Sequence, residues 1–275
     1  MKLVAASKLK RATDAIVQMR PYARKLSDIL ANIAGATEGD VELEYAIERP
    51  VNKVLLVVIT SDKGLCGAFN ANIIKKARLA IDNEYAEHRA AGNVSIMTLG
   101  KKSYDFFKKY DDCEILDEHF GIFKDLKFES TAAVVEEIME KFAGGEYDEV
   151  YVAYSQFKNA AVQNIKFEKF LPIKKLETPE GEVESTEKSD YIFEPSKEVL
   201  IKELAPKILK TQFHSYLLDN FASEHGARMT AMDSATENAN DLLRDLKLKY
   251  NKERQAAITT ELTEIVSGAA ALEGS

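Results

Sequence analysis

The chain has 275 residues, 45% of them hydrophobic and 30% charged, with a formal net charge of −8. That acidic balance argues against general nucleic-acid binding, and no apolar run of about 18 residues is present to span a membrane. No signal-peptide pattern opens the chain, and Cys66 and Cys113 lie far apart without a CxxC spacing, so they read as small buried hydrophobes in a reducing compartment.

The first segment carries Ala5, Leu9, Ala12, Ile16, Met19, Ala23, Leu26, Leu30 and Ile33 at alternating steps of four and three. That rhythm predicts a coiled-coil helix over 1–35, bent near Val17 to Pro21 because Pro21 removes one backbone donor. Its outer face is basic, with Lys2, Lys8, Lys10, Arg11, Arg20, Arg24 and Lys25 against a single Asp14, and is either solvated or turned to a partner. Gly35 ends the helix, and a polar turn through Gly39 and Asp40 follows.

From Asn52 the period changes. Lys53 to Thr60 is a continuous apolar, largely β-branched run, the mark of a strand buried on both faces of a parallel sheet. A glycine-bearing loop, Ser61 to Asn70, leads into a predicted helix over Asn72 to Ala91. Strands follow at Val94 to Leu99, near Glu114 to Leu116 and at Glu149 to Ser155. Between them come helices at Lys101 to Tyr110 and at Ser130 to Ala143, the second stopped by Gly144 and Gly145. This alternation predicts an α/β domain, Rossmann-like with a mainly parallel sheet, over 50–195. Val162 to Ile173 alternates apolar and polar residues as an edge strand does. The stretch 178–190, with Glu180, Gly181, Glu182, Glu184 and Glu187, is too polar to bury and reads as a mobile loop or hairpin tip. Tyr191 to Phe193 resumes as a strand, and Ser196 caps a helix that Pro206 is expected to break or restart.

The last segment holds a second seam: Leu218, Ala222, His225, Met229, Met232, Thr236, Ala239, Leu243, Leu246 and Tyr250. After Gly226 nothing interrupts it until Gly268, which predicts a shaft roughly 100 Å long. The helices of 1–35 and 196–275 then flank the α/β domain as an antiparallel coiled coil. Met1 is expected near residue 240–250, and the chain offers no neighbour beyond Tyr250. There the apolar phase slips to Ile258, Leu262, Ile265 and Ala269.

The chemistry in the chain is sparse. Gly64-Leu-Cys-Gly67 lacks the Lys-Ser/Thr of a phosphate-binding loop and is not GxGxxG, so it reads as a tight strand-to-helix turn. His88, His119, His214 and His225 form no metal-ligand spacing, and no Ser-His-Asp, Cys-His or paired-carboxylate set falls at catalytic spacing. No catalytic, cofactor or metal site is therefore expected. Met229 and Met232 fill the seam, and His225 is a packed histidine. Asn251, Lys252, Arg254, Gln255, Thr259, Thr260 and Glu261 form a polar collar where the shaft has no partner of its own. The tip, Ser267 to Leu272, is small-residued and smooth, as a turning contact requires.

Four blocks carry a resemblance. Leu3-Val-Ala-Ala-Ser-Lys-Leu9, Thr60-Ser-Asp-Lys-Gly-Leu-Cys-Gly67, Ala222-Ser-Glu-His-Gly-Ala-Arg-Met-Thr-Ala-Met-Asp233 and Ile258-Thr-Thr-Glu261-Leu-Thr-Glu264-Ile-Val-Ser-Gly268-Ala269 fall in order along the chain. Together they resemble the gamma-chain family of the F-type rotary ATP synthases. The resemblance implies a rotor shaft inside a hexamer of alpha and beta chains, which hold the nucleotide sites. It also implies an α/β domain seated on the ring of membrane c subunits beside an epsilon chain. The membrane is then touched only through partners, at the cytoplasmic face of a bacterial cell membrane. Carried over by motif, Arg254 and Gln255 would meet the beta chain's catch loop, with Thr259 and Glu261 in the same network and Arg228 lower on the shaft. Members have several more helical turns before the first block, so the resemblance implies a start within that helix and an upper coil left one-stranded. The cysteine pair of the chloroplast form is lacking around 174–195, so no thiol switch is expected. A coiled-coil adaptor and an α/β enzyme regulated through its helices are the other readings, and co-purification with two homologous nucleotide-binding chains separates all three.

Overall fold

Val54–Ile59 (β1), six consecutive Val, Leu and Ile residues, forms the centre of a five-stranded sheet. The computed structural model of the chain describes residues 1–35, 44–119, 121–124, 126–173 and 196–273. The chain divides into two units, Met1–Thr230 and Ala231–Ser275.

In the first unit, Val94–Leu99 (β2) and Glu149–Phe157 (β4) flank β1 in parallel, and Glu114–Leu116 (β3) lies parallel to β2. Gln163–Leu171 (β5) closes the other edge antiparallel to β4. Every β1 side chain is fully buried, because helices cover both faces. Leu55, Val57 and Ile59 meet Phe128–Ala143 (α5) through Val135, Ile138 and Phe142. Val54, Leu56 and Val58 meet Phe69–Asn83 (α2) through Ile73 and Ala77, and Lys101–Phe107 (α4) through Phe107. The single helix expected over 72–91 is two, α2 and a short Ala86–Ala90 (α3). Between them Tyr85, 7% exposed, turns into the core against Tyr151, and burial of that ring outweighs helix continuity.

The terminal helices are Lys2–Gly35 (α1) and Lys197–Glu273 (α6). Ser196 caps α6 by accepting the Val199 N–H at 3.3 Å. Ala12 and Ile16 pack against Leu218 and Ala222, and Ile29 against Ile201, so the pair is antiparallel. Pro206 lies inside α6 and does not end it. Its neighbours Ala205 and Leu209 are almost wholly buried, and that packing holds the helix through the missing donor.

This corrects the expected register. With α6 beginning at Lys197, the far end of α1 docks at 201–208. Met1 near 240–250 would set Ala5 near 236–246, whereas the packing of Ile16 on Leu218 carries Ala5 to the level of Met229. Leu243 and Leu246, assigned to the seam, are 52% and 54% exposed. Leu9, Ile16, Met19 and Leu26 are buried or half-buried, as are Met229 and Met232. In the second unit the helix continues to Glu273, and every described residue from Ser234 to Ala269 is exposed. Among the described residues no helix is long and apolar enough to cross a membrane. The turn at Gly39 and Asp40, the acidic stretch 178–190, the strand at Tyr191 to Phe193 and the side chains of Arg24, Leu30 and Ile33 lie outside the described residues.

Candidate interaction surface

In an open α/β sheet, ligands enter the crevice at the carboxyl ends of the strands where the strand order reverses. Here that point lies between β1 and β4. Segment 220–230 of α6 occupies it. Asn220 Oδ1 accepts the Ser155 N–H at 3.1 Å, and Ser223 Oγ donates to the Ser155 carbonyl at 3.1 Å. Gly226 lies against the turn after β4 so closely that a Cβ there would stand 3.1 Å from Ala160 Cα. On the β1 side, Arg228 Nη2 donates to the carbonyls of Lys63 and Gly64 at 3.1 and 3.2 Å.

The loop so gripped is also tied from within. Ser61 N–H donates to Asn70 Oδ1 at 3.0 Å, and Asn70 Nδ2 reaches Cys66 Sγ at 3.2 Å. Leu65 is held at φ 65°, a left-handed conformation rare for a branched residue, and its side chain remains 64% exposed. Burial pushes the Cys66 thiol up, consistent with a packed and unreactive cysteine.

Arg228, lower on α6 than Arg254 and Gln255, faces the loop after β1. Its guanidinium is ion-paired to Glu224, lies 3.2 Å from His225 Nδ1 and is 13% exposed. The Glu224–Arg228 spacing of four puts both on the helix face that meets the loop. Burial, then Arg228 and Lys8, depress His225 to about 4, so the ring is neutral at pH 7 and accepts from the guanidinium. Burial raises Asp219 to about 6, with Arg20 and the Phe157 N–H pulling the other way. This buried polar row on α6 was missed at the level of sequence, although Asp219, Asn220, Ser223 and Glu224 inside an otherwise apolar seam are a visible signal.

The structure also brings His119 Nε2 to 2.6 Å from Glu137, with Lys141 2.9 Å away on the other carboxylate oxygen. Burial pushes the Glu137 carboxyl up, but the Lys141 and His119 hydrogen bonds prevail and hold it below its ordinary value. Glu118 adds a carboxylate within 4.8 Å, and the Lys141 ammonium already occupies one Glu137 oxygen, so the group reads as a surface hydrogen-bond and ion-pair cluster.

In the second unit, Ile258, Leu262 and Ile265 fall on one stripe of α6 and are 49%, 57% and 67% exposed. By helical geometry Arg254 and Glu261 border it on one side, and Gln255 and Thr259 on the other. The Thr259 hydroxyl bonds back to the Gln255 carbonyl at 2.8 Å, leaving its methyl group to the surface. Nearer the first unit, Leu243, Leu246 and Tyr250 form another exposed stripe, turned by roughly 100° from the first. These are apolar surfaces that the chain itself leaves uncovered.

A family model described as ATP synthase matches residues 1–272. The gamma chain of Christiangramia forsetii ATP synthase is 50% identical over 274 residues, covering 100% of this chain and 92% of that one. The chain belongs to the ATP synthase gamma-chain family. The Cytophaga hutchinsonii gamma chain is likewise 50% identical over 272 residues, at 99% and 92% coverage. Among solved structures, the central stalk and c-ring of Tetrahymena thermophila mitochondrial ATP synthase matches with a TM-score of 0.59 and 26% identity, over 86% of this chain and 97% of that one. A chain of the Euglena gracilis F1/c-ring assembly has the same TM-score at 19% identity, over 97% of this chain and 95% of that one, and shares the fold. The gamma-chain fold accounts for an α/β body set between two terminal helices.

Proposed function

We propose that this chain is the central rotor of a proton-translocating F-type ATP synthase, coupling rotation of a membrane ring to the nucleotide sites of an alpha/beta hexamer. The exposed apolar stripe Ile258, Leu262 and Ile265, bordered by Arg254, Gln255, Thr259 and Glu261, carries the reading. A helix face of this kind is stable only when something covers it. A sleeve of alpha and beta chains would bury the stripe, while Arg254 and Gln255 offer charge-assisted and amide hydrogen bonds to beta-chain loops. Leu243 and Leu246 complete their seam inside such an assembly.

The chain holds no nucleotide and catalyses nothing by itself in this reading. Support comes from the crevice at β1 and β4, which α6 fills with Asn220, Gly226 and Arg228. The α/β body over 50–195 would sit on the c ring beside an epsilon chain, with 1–35 and 196–275 as the stalk. The complex would lie peripherally on the cytoplasmic face of a bacterial membrane.

The test is reconstitution with purified alpha and beta chains and observation of a bead fixed to the α/β body. ATP should drive unidirectional rotation. Arg254→Ala and Gln255→Ala should leave the melting temperature of the isolated chain unchanged while lowering the ATPase of the assembly. An assembly that hydrolyses ATP at full rate with the bead still, or chains that do not assemble, would sink the proposal.

A further inference from the structure

On the sheet face opposite α5, helices α2 and α4 leave a groove of about 500 Å³ between them. Its floor is apolar, made by Ala71, Ile74 and the half-buried ring of Phe106. Lys75 and Arg78 from α2, and Lys102 and Lys109 from α4 and the turn after it, add four cations against a single Asp105. Asp105 lies 3.7 Å from Lys108, and Arg78 reaches Asp82 at 3.7 Å. Among the described residues, Lys75, Lys102 and Lys109 lie within ion-pair distance of no carboxylate. In a chain whose net charge is −8, a groove lined four to one with cations runs against the composition.

We propose that this groove binds an acidic segment of a protein partner, seating one apolar side chain on Ile74 and Phe106 and setting carboxylates along the two rims. A volume of this size with an apolar floor and a few charged groups suits a ligand of three or four residues. Lys102 and Lys109 stand seven residues apart, roughly 10 Å along the helix direction, while Lys75 and Arg78 share one turn of α2, so the cations line two rims of unequal length. Separated carboxylates on a peptide match that spacing, whereas clustered phosphates need convergent donors. A flat anionic bilayer cannot reach the floor, because Ile74 is only 9% exposed and lies below the lysines. The inference rests on this groove alone and is independent of the rotor reading.

The probe is a blocked hexapeptide with a Leu-Phe centre and two glutamates on each side, titrated by fluorescence anisotropy into the full chain at low ionic strength. Saturable binding that weakens with salt is expected. Lys75→Glu with Lys109→Glu, both at exposed positions, should weaken it by at least roughly tenfold without moving the melting temperature. Phe106→Leu should weaken it while leaving its salt dependence in place. The glutamine version of the peptide should not bind. Equal binding to the charge-reversed chain, or equal binding of the glutamine peptide, would overturn the proposal. Displacement of the peptide by tripolyphosphate at equal concentration, or by phosphatidylglycerol vesicles, would also overturn it, by assigning the groove to a phosphate ligand or a lipid surface.

Discussion

Removing the Arg228 side chain strands the Glu224 carboxylate, 6% exposed, without its ion-pair partner and takes a donor from the Lys63 and Gly64 carbonyls, of which Lys63 keeps the Ser61 hydroxyl. Arg228→Ala should therefore destabilise the chain by roughly 2–4 kcal/mol in urea unfolding, the range for an uncompensated buried charge. Arg228→Lys should recover only part, since one ammonium cannot serve a carboxylate and two carbonyls in that fork geometry. An unmoved unfolding midpoint, with weaker binding of beta chain, would show that Arg228 serves the partner contact and not the fold. Asp219 and His225 give opposite pH dependences. The carboxyl of Asp219 is raised from 3.8 to about 6, so its contribution is complete below about 4 and is lost as pH rises through 6. His225 is lowered from 6.5 to about 4, so its contribution is complete above 6.5 and is lost as pH falls through 4. Asp219→Asn should raise the melting temperature at pH 8 relative to the parent chain, with the gap closing near pH 4. A lower melting temperature of the variant at pH 8 would show that the pairing with Arg20 outweighs burial.

At the scale of the element, the seam is buried only where α1 lies beside α6. Ile16, 4% exposed, packs on Leu218 and Ala222, while Leu243 is 52% exposed. Ile16→Ala should cost roughly 2–4 kcal/mol in the isolated chain, and Leu243→Ala less than about 0.5. Equilibrium denaturation of the two variants checks this, and equal costs would mean that the seam is covered higher up. The heptad rhythm of α1 and α6 was legible from the residues because periodicity needs no partner to be seen. Their relative register was not. It turned on whether Pro206 ends a helix, and that depended on how deeply Ala205 and Leu209 are buried. The same holds for Tyr85, whose burial splits one predicted helix into α2 and α3.

At the scale of the whole molecule, the two units differ in what protects them. Apolar clusters bury the sheet and its helices in the first unit, whereas the part of α6 in the second unit, as far as Glu273, rests on its own hydrogen bonds. Helices without a packed face open locally at low cost. Amides from Ala239 to Leu246 should exchange as fast as those from Ile258 to Val266, and both sets faster than those from Leu217 to Ala222. Assembly with alpha and beta chains should slow both outer sets. Protection of 239–246 at the level of 217–222 in the isolated chain would contradict the exposure of Leu243 and Leu246.

Local patterns determined most of the described secondary elements, the mainly parallel sheet and the antiparallel pairing of the terminal helices, but not the split at Tyr85 or the passage through Pro206. Hydrophobic period and turn residues are properties of neighbouring positions, and these positions follow them. The collar of Arg254, Gln255, Thr259 and Glu261 was likewise readable, because helical spacing alone sets it beside Ile258 and Leu262. Only the tertiary structure decided the use of Arg228, the filled crevice at β1 and β4 and the cationic groove between α2 and α4. Each joins residues distant in the chain: Arg228 with Lys63, Gly226 with Ala160, Lys75 with Lys102. Such neighbours are set by how helices dock on the sheet, and no period in the sequence encodes that.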